Sequence, residues 1–172
     1  HDFRVLERGT SLAEDWPKAD ECEAVVTAEQ VSWLSISLPE KMGRDASRII
    51  GYALEDKLIQ PPETMHIVLS KDAGSAIAIG KARLGEITEA VRAAGRKLDR
   101  LFVDMQLAVP VEGEWTICRY GESTFLRMGS QGGLAIDWPG AGPPEALSIA
   151  IARARGKLPK QIVVRPPPGR TE

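Results

Sequence analysis

Residues 46–69 impose the strongest constraint on how this chain can fold. Apolar side chains recur between residues 46 and 58 at the spacing of one helix face, which predicts an amphipathic helix. They are Ile49, Ile50, Ala53, Leu54 and Leu58. Pro61 and Pro62 cannot continue that helix, and the β-branched stretch after them alternates as a strand does. The sequence therefore predicts a helix, a proline stop and a strand over residues 64–70 as one unit.

The residues after this unit predict three more elements in close succession. A turn at 71–75 leads to a returning strand at 76–80. Residues 83–94 have helical periodicity with Gly95 as the C-terminal glycine, and a strand follows at 98–103. The order α-β-β-α-β predicts a subdomain over residues 44–103.

The segments on either side of this subdomain are rich in strands. Upstream, we predict a hairpin at 3–11 with a weak second strand, and strands at 24–27 and 31–39. Downstream, glycine turns separate three strands that should form an antiparallel meander. These strands are 115–120, 124–128 and 133–137, and a helix at 145–155 and a strand at 161–165 follow them.

Three antiparallel strands, a helix and a strand are the opening order of a ribonuclease-H-like fold. We therefore predict an α/β (α+β) chain with the actin-like, ribonuclease-H-like arrangement of duplicated halves. The first half comprises residues 1–43 and 104–112, and the subdomain at 44–103 is inserted in it. Residues 113–172 form a second, incomplete half that ends in a proline-rich tail.

Composition excludes several classes of protein. With 43% hydrophobic and 27% charged residues, the chain is typical of a globular protein. A net charge of −2 gives no surplus for binding polyanions, so nucleic acid is not an expected partner. Cys22 and Cys118 lack metal-ligand spacing and are expected to be reduced thiols. No apolar run approaches the roughly 20 residues that cross a bilayer.

Two glycine-containing turns raise the question of phosphate binding. Glu7, Gly9 and Thr10 resemble the phosphate-cradling turn of actin-like ATPases, with glutamate in place of aspartate. Residues 129–133 are rich in glycine and join two strands. The simpler interpretation of both is a β-turn that needs glycine, because the second opens no helix and no lysine follows it. We predict no cofactor site.

The acids nearest to a two-metal nuclease arrangement are Glu7, Asp104 and Asp137. Asp104 follows a strand, where a carboxylate can accept backbone N–H groups at a turn or helix start. His66 has no nucleophile at motif spacing, and we expect it to be a structural, hydrogen-bonded histidine. The sequence therefore predicts no catalytic residue and no metal site.

Several segments together resemble a known family. The first is Tyr52-Ala53-Leu54-Glu55-Asp56-Lys57-Leu58, and the others are 65–66, 93–95, 104–110, 115–116 and 129–137. In this order, over residues 3–165, they resemble the cytoplasmic part of the L component of bacterial type II secretion systems. The resemblance implies an actin-like fold and a single-span inner-membrane protein whose cytoplasmic part comes first. We therefore expect an excised portion, lacking the membrane helix, that works at the cytoplasmic face of the inner membrane.

The resemblance also implies a non-enzymatic adaptor. Its expected partners are the N-terminal domain of the secretion ATPase (the E component) and the platform components M and F through the full-length protein. A second copy of the chain, in a homodimer, is a further candidate partner. The inserted subdomain is expected to bind the ATPase, and the exposed side of helix 46–58 offers candidate contacts. These candidates are Arg48, Tyr52, Glu55 and Asp56. The alternatives are an ordinary solvated helix face, an actin-like nucleotide-binding ATPase, or a type IV pilus assembly protein of the same fold.

Overall fold

A computed structural model describes residues 7, 9–39, 43–70, 74–120, 123–130, 132–138, 142–154 and 158–165. Within these ranges the chain forms nine strands and four α-helices. The strands are β1 (Glu23–Val26), β2 (Val31–Ser35), β3 (Met65–Leu69), β4 (Ser75–Gly80), β5 (Arg100–Val103), β6 (Glu114–Tyr120), β7 (Ser123–Met128), β8 (Gly133–Ala135) and β9 (Gln161–Arg165). The helices are α1 (Ala46–Glu55), α2 (Lys81–Ala93), α3 (Asp104–Leu107) and α4 (Glu145–Arg153).

Seven strands form one sheet in the order β3-β4-β2-β8-β7-β6-β9. The meander β6-β7-β8 is antiparallel, and β9 returns through α4 to lie parallel to β6. The spatial order β8-β7-β6-β9 is that of a ribonuclease-H-like fold, so the predicted fold class is confirmed.

The seven-stranded sheet takes strands from all three predicted segments. β4 pairs antiparallel with β2 along the whole of β2, whereas β2 meets β8 only at Trp33 and Gly133. The two remaining strands, β1 and β5, pair in parallel. Strand pairing therefore crosses the predicted boundaries, and the division into subdomains stays a prediction.

Some elements are shorter than the sequence predicts. The first helix ends at Glu55 instead of residue 58, and the N–H of Lys57 reaches back only three residues, to the carbonyl of Leu54 at 2.9 Å, which closes the last turn in 3-10 geometry. β2 ends at Ser35, and α4 ends at Arg153. By contrast, α2 ends as predicted: Gly95 is left-handed at φ +72°, and the N–H of Arg96 reaches the carbonyl of Val91 at 3.1 Å.

The predicted opening hairpin is wrong in the part that can be compared. Residues 9–12 form no strand, and Ala13–Asp15 is a single 3-10 turn. Leu12 is exposed there, so no alternating apolar face exists for a second strand to bury. Residues 3–6 and most of the predicted 71–75 turn lie outside the described residues.

The hydrophobic core consists of three clusters. One lies beside the β1–β5 pair and includes Val103, Met105 and Phe125. A second fills the space between α4 and the meander, with Trp115 and Leu147 among its members. The third holds α1 against the sheet through Leu54, which is fully buried, together with Ile36 and Ala76. The apolar stripe that predicts α1 thus faces the core, and its opposite side faces solvent.

Candidate docking surface

The solvent side of α1 forms one wall of an open groove of about 600 Å³. From α1 the lining residues are Ser47, Arg48, Ile50, Gly51, Tyr52 and Glu55. From the turn after α1, β3 and the start of α2, they are Pro62, Glu63, Met65, Ile67 and Lys81. The proline stop folds the chain back beside the helix, and an added Cβ on Gly51 would lie 3.9 Å from Pro62. Helix, stop and strand thus build the groove together.

The groove has an apolar floor and a charged rim. Met65 and Ile67 alternate along β3 onto the face that packs toward α1, and they are half-buried. Tyr52 stands at the rim with 70% of its surface exposed. An apolar floor beside an exposed aromatic side chain is suited to receiving a side chain of a partner protein.

The charged side chains around the groove differ in whether they have a partner among the described residues. Arg48 pairs with Asp45 at 3.5 Å, and the ammonium of Lys81 donates to the backbone carbonyl of Glu63 at 2.8 Å. The carboxylates of Glu55 and Glu63 form neither a hydrogen bond nor an ion pair with any described residue. The cations are therefore engaged within the protein, while two acids remain available to a basic partner.

The structure brings three of the four predicted contact residues into this groove. Arg48, Tyr52 and Glu55 line it, whereas Asp56 is exposed and does not. The prediction extended helical spacing beyond Glu55, but α1 ends there, and Asp56 belongs to the turn that follows. Sequence reasoning missed Glu63 and Lys81, which reach the groove only because the chain returns beside α1. The alternation of β3 did contain a signal for Met65 and Ile67.

Asp104 has the structural role that its position predicts. Its carboxylate is buried and accepts the N–H of Met105 at 2.6 Å and the hydroxyl of Ser123 at 3.1 Å. Burial raises the pKa of this carboxyl, and hydrogen bonds from Ala28, Ser123 and Met105 oppose the shift. Asp104 thereby ties the end of β5 to the start of β7.

The glycine-rich turn at 129–133 is a hairpin with a packing requirement. The N–H of Met128 bonds to the carbonyl of Gly132 at 2.9 Å, and Gly129 is left-handed at φ +60°. Gly133 faces Met105 so closely that a Cβ would lie 2.7 Å from its sulfur. Packing and turn geometry therefore account for these glycines, and Gln131 lies outside the described residues.

A buried arginine beside this turn was not anticipated from the sequence. The guanidinium of Arg127 lies 4.6 Å from the centre of the Trp33 ring and donates to the carbonyls of Met105 and Gly129. Burial lowers the pKa of this guanidinium. The alternation of β7 places Arg127 on the same face as buried Phe125, and that was the available signal. Arg127 reinforces the narrow junction between β2 and β8.

The remaining candidate residues do not converge on a site. Among the described residues, no three His, Cys, Asp or Glu side chains lie close enough together to hold a metal ion. Cys22 and Cys118 are both free thiols, as predicted. The expectation of a hydrogen-bonded His66 is wrong, because its side chain is exposed on β3 and bonds to no described residue. No helix in the described ranges has the length and hydrophobicity needed to cross a bilayer.

Comparisons with known structures agree with this architecture. The cytoplasmic domain of EpsL, an inner membrane component of the type II secretion system of Vibrio cholerae, aligns with a TM-score of 0.61 and 21% identity. The alignment covers 87% of this chain and 64% of that domain, so the chain spans less than two thirds of its length. This similarity supports the fold.

A second solved structure aligns more weakly. It is a protein of unknown function with an actin-like ATPase fold from Bacteroides thetaiotaomicron, at 5% identity and a TM-score of 0.39. The alignment covers 86% of this chain and 69% of that one. No curated protein matches the chain significantly.

The sequence itself gives the more specific result. The family profile of type II secretion system protein L matches residues 6–142, which include α1, the groove and the meander. The resemblance predicted from the segments between Tyr52 and Asp137 is thereby confirmed. The chain belongs to the type II secretion system protein L family.

Proposed function

We propose that this protein is a non-enzymatic adaptor of the type II secretion system, which docks the N-terminal domain of the secretion ATPase to the inner-membrane platform. In this role it works at the cytoplasmic face of the inner membrane, as part of a single-span protein whose other regions contact the platform components M and F. Family membership supports the assignment to the secretion machinery. The groove beside α1 supports docking as the activity.

The single observation that carries the proposal is the combination of exposed Tyr52 with Glu55 and Glu63, two acids that pair with no described residue, around an apolar floor. Unpaired acids attract and orient a partner that carries lysine or arginine. Tyr52 offers a large side chain that loses little conformational entropy on binding. The groove therefore fits a basic segment of a protein that inserts one apolar side chain.

Titration calorimetry with the N-terminal domain of the cognate ATPase tests this proposal. We expect a dissociation constant of about 1 µM or less for the unmodified protein. Glu55→Lys should weaken binding by at least about tenfold. Tyr52→Ala should weaken it by about thirtyfold, as loss of a central aromatic contact does.

Asp56→Lys is the matched control, because it makes the same charge change one residue further along the chain and outside the groove. It should alter the affinity by less than about threefold. Equal losses in Glu55→Lys and Asp56→Lys would mean that net charge, and not the groove, governs binding. Circular dichroism and thermal melting confirm that each variant is folded.

A nucleotide control separates the adaptor from an actin-like ATPase. A ligand that binds only the folded state raises its apparent stability by mass action. An adaptor that does not bind nucleotide should melt at the same temperature with and without magnesium-ATP. A clear rise, together with no binding to the ATPase domain, would contradict the proposal.

A further inference from the structure

The strand β3 is an edge of the seven-stranded sheet, and it borders the groove. It pairs antiparallel with β4, and no described strand pairs with its other side. Just after β3, the N–H of Ser70 bonds toward β4, to the carbonyl of Ser75 at 2.9 Å. Since backbone groups alternate along a strand, the N–H and C=O groups of Ile67 and Leu69 point away from β4. They form an open row of donors and acceptors.

Nothing in β3 itself protects this edge from pairing. Edge strands usually avoid a further strand through a charged side chain, a proline or a bulge. The strand Met65–Leu69 contains no Asp, Glu, Lys, Arg or Pro, and its register with β4 runs without a bulge. The edge can therefore accept an added strand.

The open edge and the groove share residues. Met65 and Ile67 line the groove, and their side chains lie on the face that packs toward α1. A strand added beside β3 would continue this face, so its alternate side chains would enter the groove beside α1. Sheet edges bind extended peptides in this way: backbone hydrogen bonds give affinity, and pockets for alternate side chains give specificity.

The charge of the groove selects the kind of strand that it can accept. Glu55 and Glu63 line the groove and pair with no described residue, whereas Arg48 and Lys81 bond within the protein. A strand with lysine or arginine on its groove side would gain these two acids as partners. A strand with acidic residues there would be repelled by the same two carboxylates.

We propose that β3 accepts, as an added antiparallel strand, an extended basic segment that flanks a membrane span of another inner-membrane protein on its cytoplasmic side. Such flanking segments are rich in lysine and arginine. Antiparallel pairing continues the pattern of β2, β4 and β3. This choice of partner rests on the proposed location at the inner membrane and does not depend on ATPase docking. Since Met65 and Ile67 also form the floor of the proposed ATPase groove, the two partners would exclude each other.

A labelled synthetic peptide of about seven residues, an ordinary strand length, is the first probe. Its groove-facing positions carry lysine, valine and lysine in that order, and threonine occupies the positions between and outside them. Because one strand buries little surface, we expect a dissociation constant on the order of 100 µM by fluorescence anisotropy with the whole chain. The peptide with glutamate in place of both lysines should bind at least about tenfold more weakly.

Vesicles test the membrane context of the segment. The same peptide is joined to the end of a membrane-spanning polyleucine helix and placed in vesicles of phosphatidylcholine, which has no net charge. The chain should sediment with these vesicles and remain in solution with vesicles that display the glutamate peptide. Failure to sediment with the lysine vesicles, despite binding of the free peptide, would overturn the choice of partner.

Methylation of backbone nitrogens tests the strand pairing itself. In an antiparallel pair, opposite residues share a face, so the groove-facing residues of the peptide direct their N–H groups toward the outward groups of β3. N-methylation of the valine and both lysines should therefore weaken binding by at least about thirtyfold. N-methylation of the threonines between them should change the affinity by less than about threefold, because those N–H groups point away from β3.

Two variants of β3 locate the binding face. Met65→Lys places a cation on the floor of the groove and should weaken peptide binding by at least about tenfold. His66→Lys is the matched control, because it adds a cation one residue further along β3, on the exposed opposite face. It should alter the affinity by less than about threefold. Thermal melting confirms that each variant is folded.

Three further results would overturn the proposal. The first is no binding of the free lysine peptide. The second is an equal loss from both methylation patterns, because the groove would then receive a helix or another conformation. The third is an equal effect of Met65→Lys and His66→Lys. ATPase binding is measured with a different partner, so a failure of the proposed docking is distinguishable from a failure of this inference.

Discussion

Replacing Gly133 by alanine should destabilise the protein at the narrowest point of its sheet. Gly133 is the only residue of β8 that pairs with β2. An alanine Cβ at this position would lie 2.7 Å from the sulfur of Met105 and 3.0 Å from the carbonyl oxygen of Leu126. Both distances are shorter than normal contacts, so at least one neighbour must move.

Neither neighbour can move without a cost. Met105 is fully buried, and Leu126 is held by its pairing with Leu134 in the β7–β8 ladder. Overpacking of a filled core costs about 1–3 kcal/mol, and the fixed backbone oxygen places this site in the upper part of that range. We expect the free energy of unfolding to fall by about 2–3 kcal/mol. For a chain of this size, the melting temperature should fall by roughly 4–12 °C.

Urea unfolding followed by circular dichroism measures the effect, with Gly132→Ala as the control. Gly132 is not left-handed, and its added Cβ would meet nothing closer than 3.5 Å, so that change should cost less than about 0.5 kcal/mol. In a Met105→Ala background, the cost of Gly133→Ala should shrink by about 1 kcal/mol or more. Equal costs for the two glycine variants, or no coupling to Met105, would refute the reasoning.

Three further predictions concern buried polar groups. Arg127→Met should lower the free energy of unfolding by about 2–4 kcal/mol, because it leaves two carbonyls without their donor; an unchanged urea midpoint would contradict this. The raised pKa of Asp104 means that the folded state holds this proton to higher pH than the unfolded state. The free energy of unfolding that this bound proton contributes should therefore fall as pH rises above about 3.9. In Asp104→Asn, the free energy of unfolding measured with urea should lack this part of its pH dependence. Glu114→Gln should speed amide exchange at Val163 by at least about tenfold, because it removes the charge to which Gln161 and Arg165 donate. Glu112 is exposed in the turn before β6, and Glu112→Gln should leave that exchange unchanged.

The elements that local sequence determines were predictable. The apolar periodicity of residues 46–58 predicted α1, and Gly95 marked the end of α2. Turns rich in glycine predicted the meander, and Asp104 was expected to bond backbone N–H groups. In each case the signal lies within a few residues of its effect.

Features that depend on distant segments were not predictable in the same way. Nothing within residues 76–80 indicates that β4 pairs with β2, because strand partners are chosen by the whole fold. The groove required the chain to return beside α1, which brought Glu63 and Lys81 to a surface predicted from the helix alone. Asp56 does not line the groove, because α1 ends earlier than the apolar periodicity indicated.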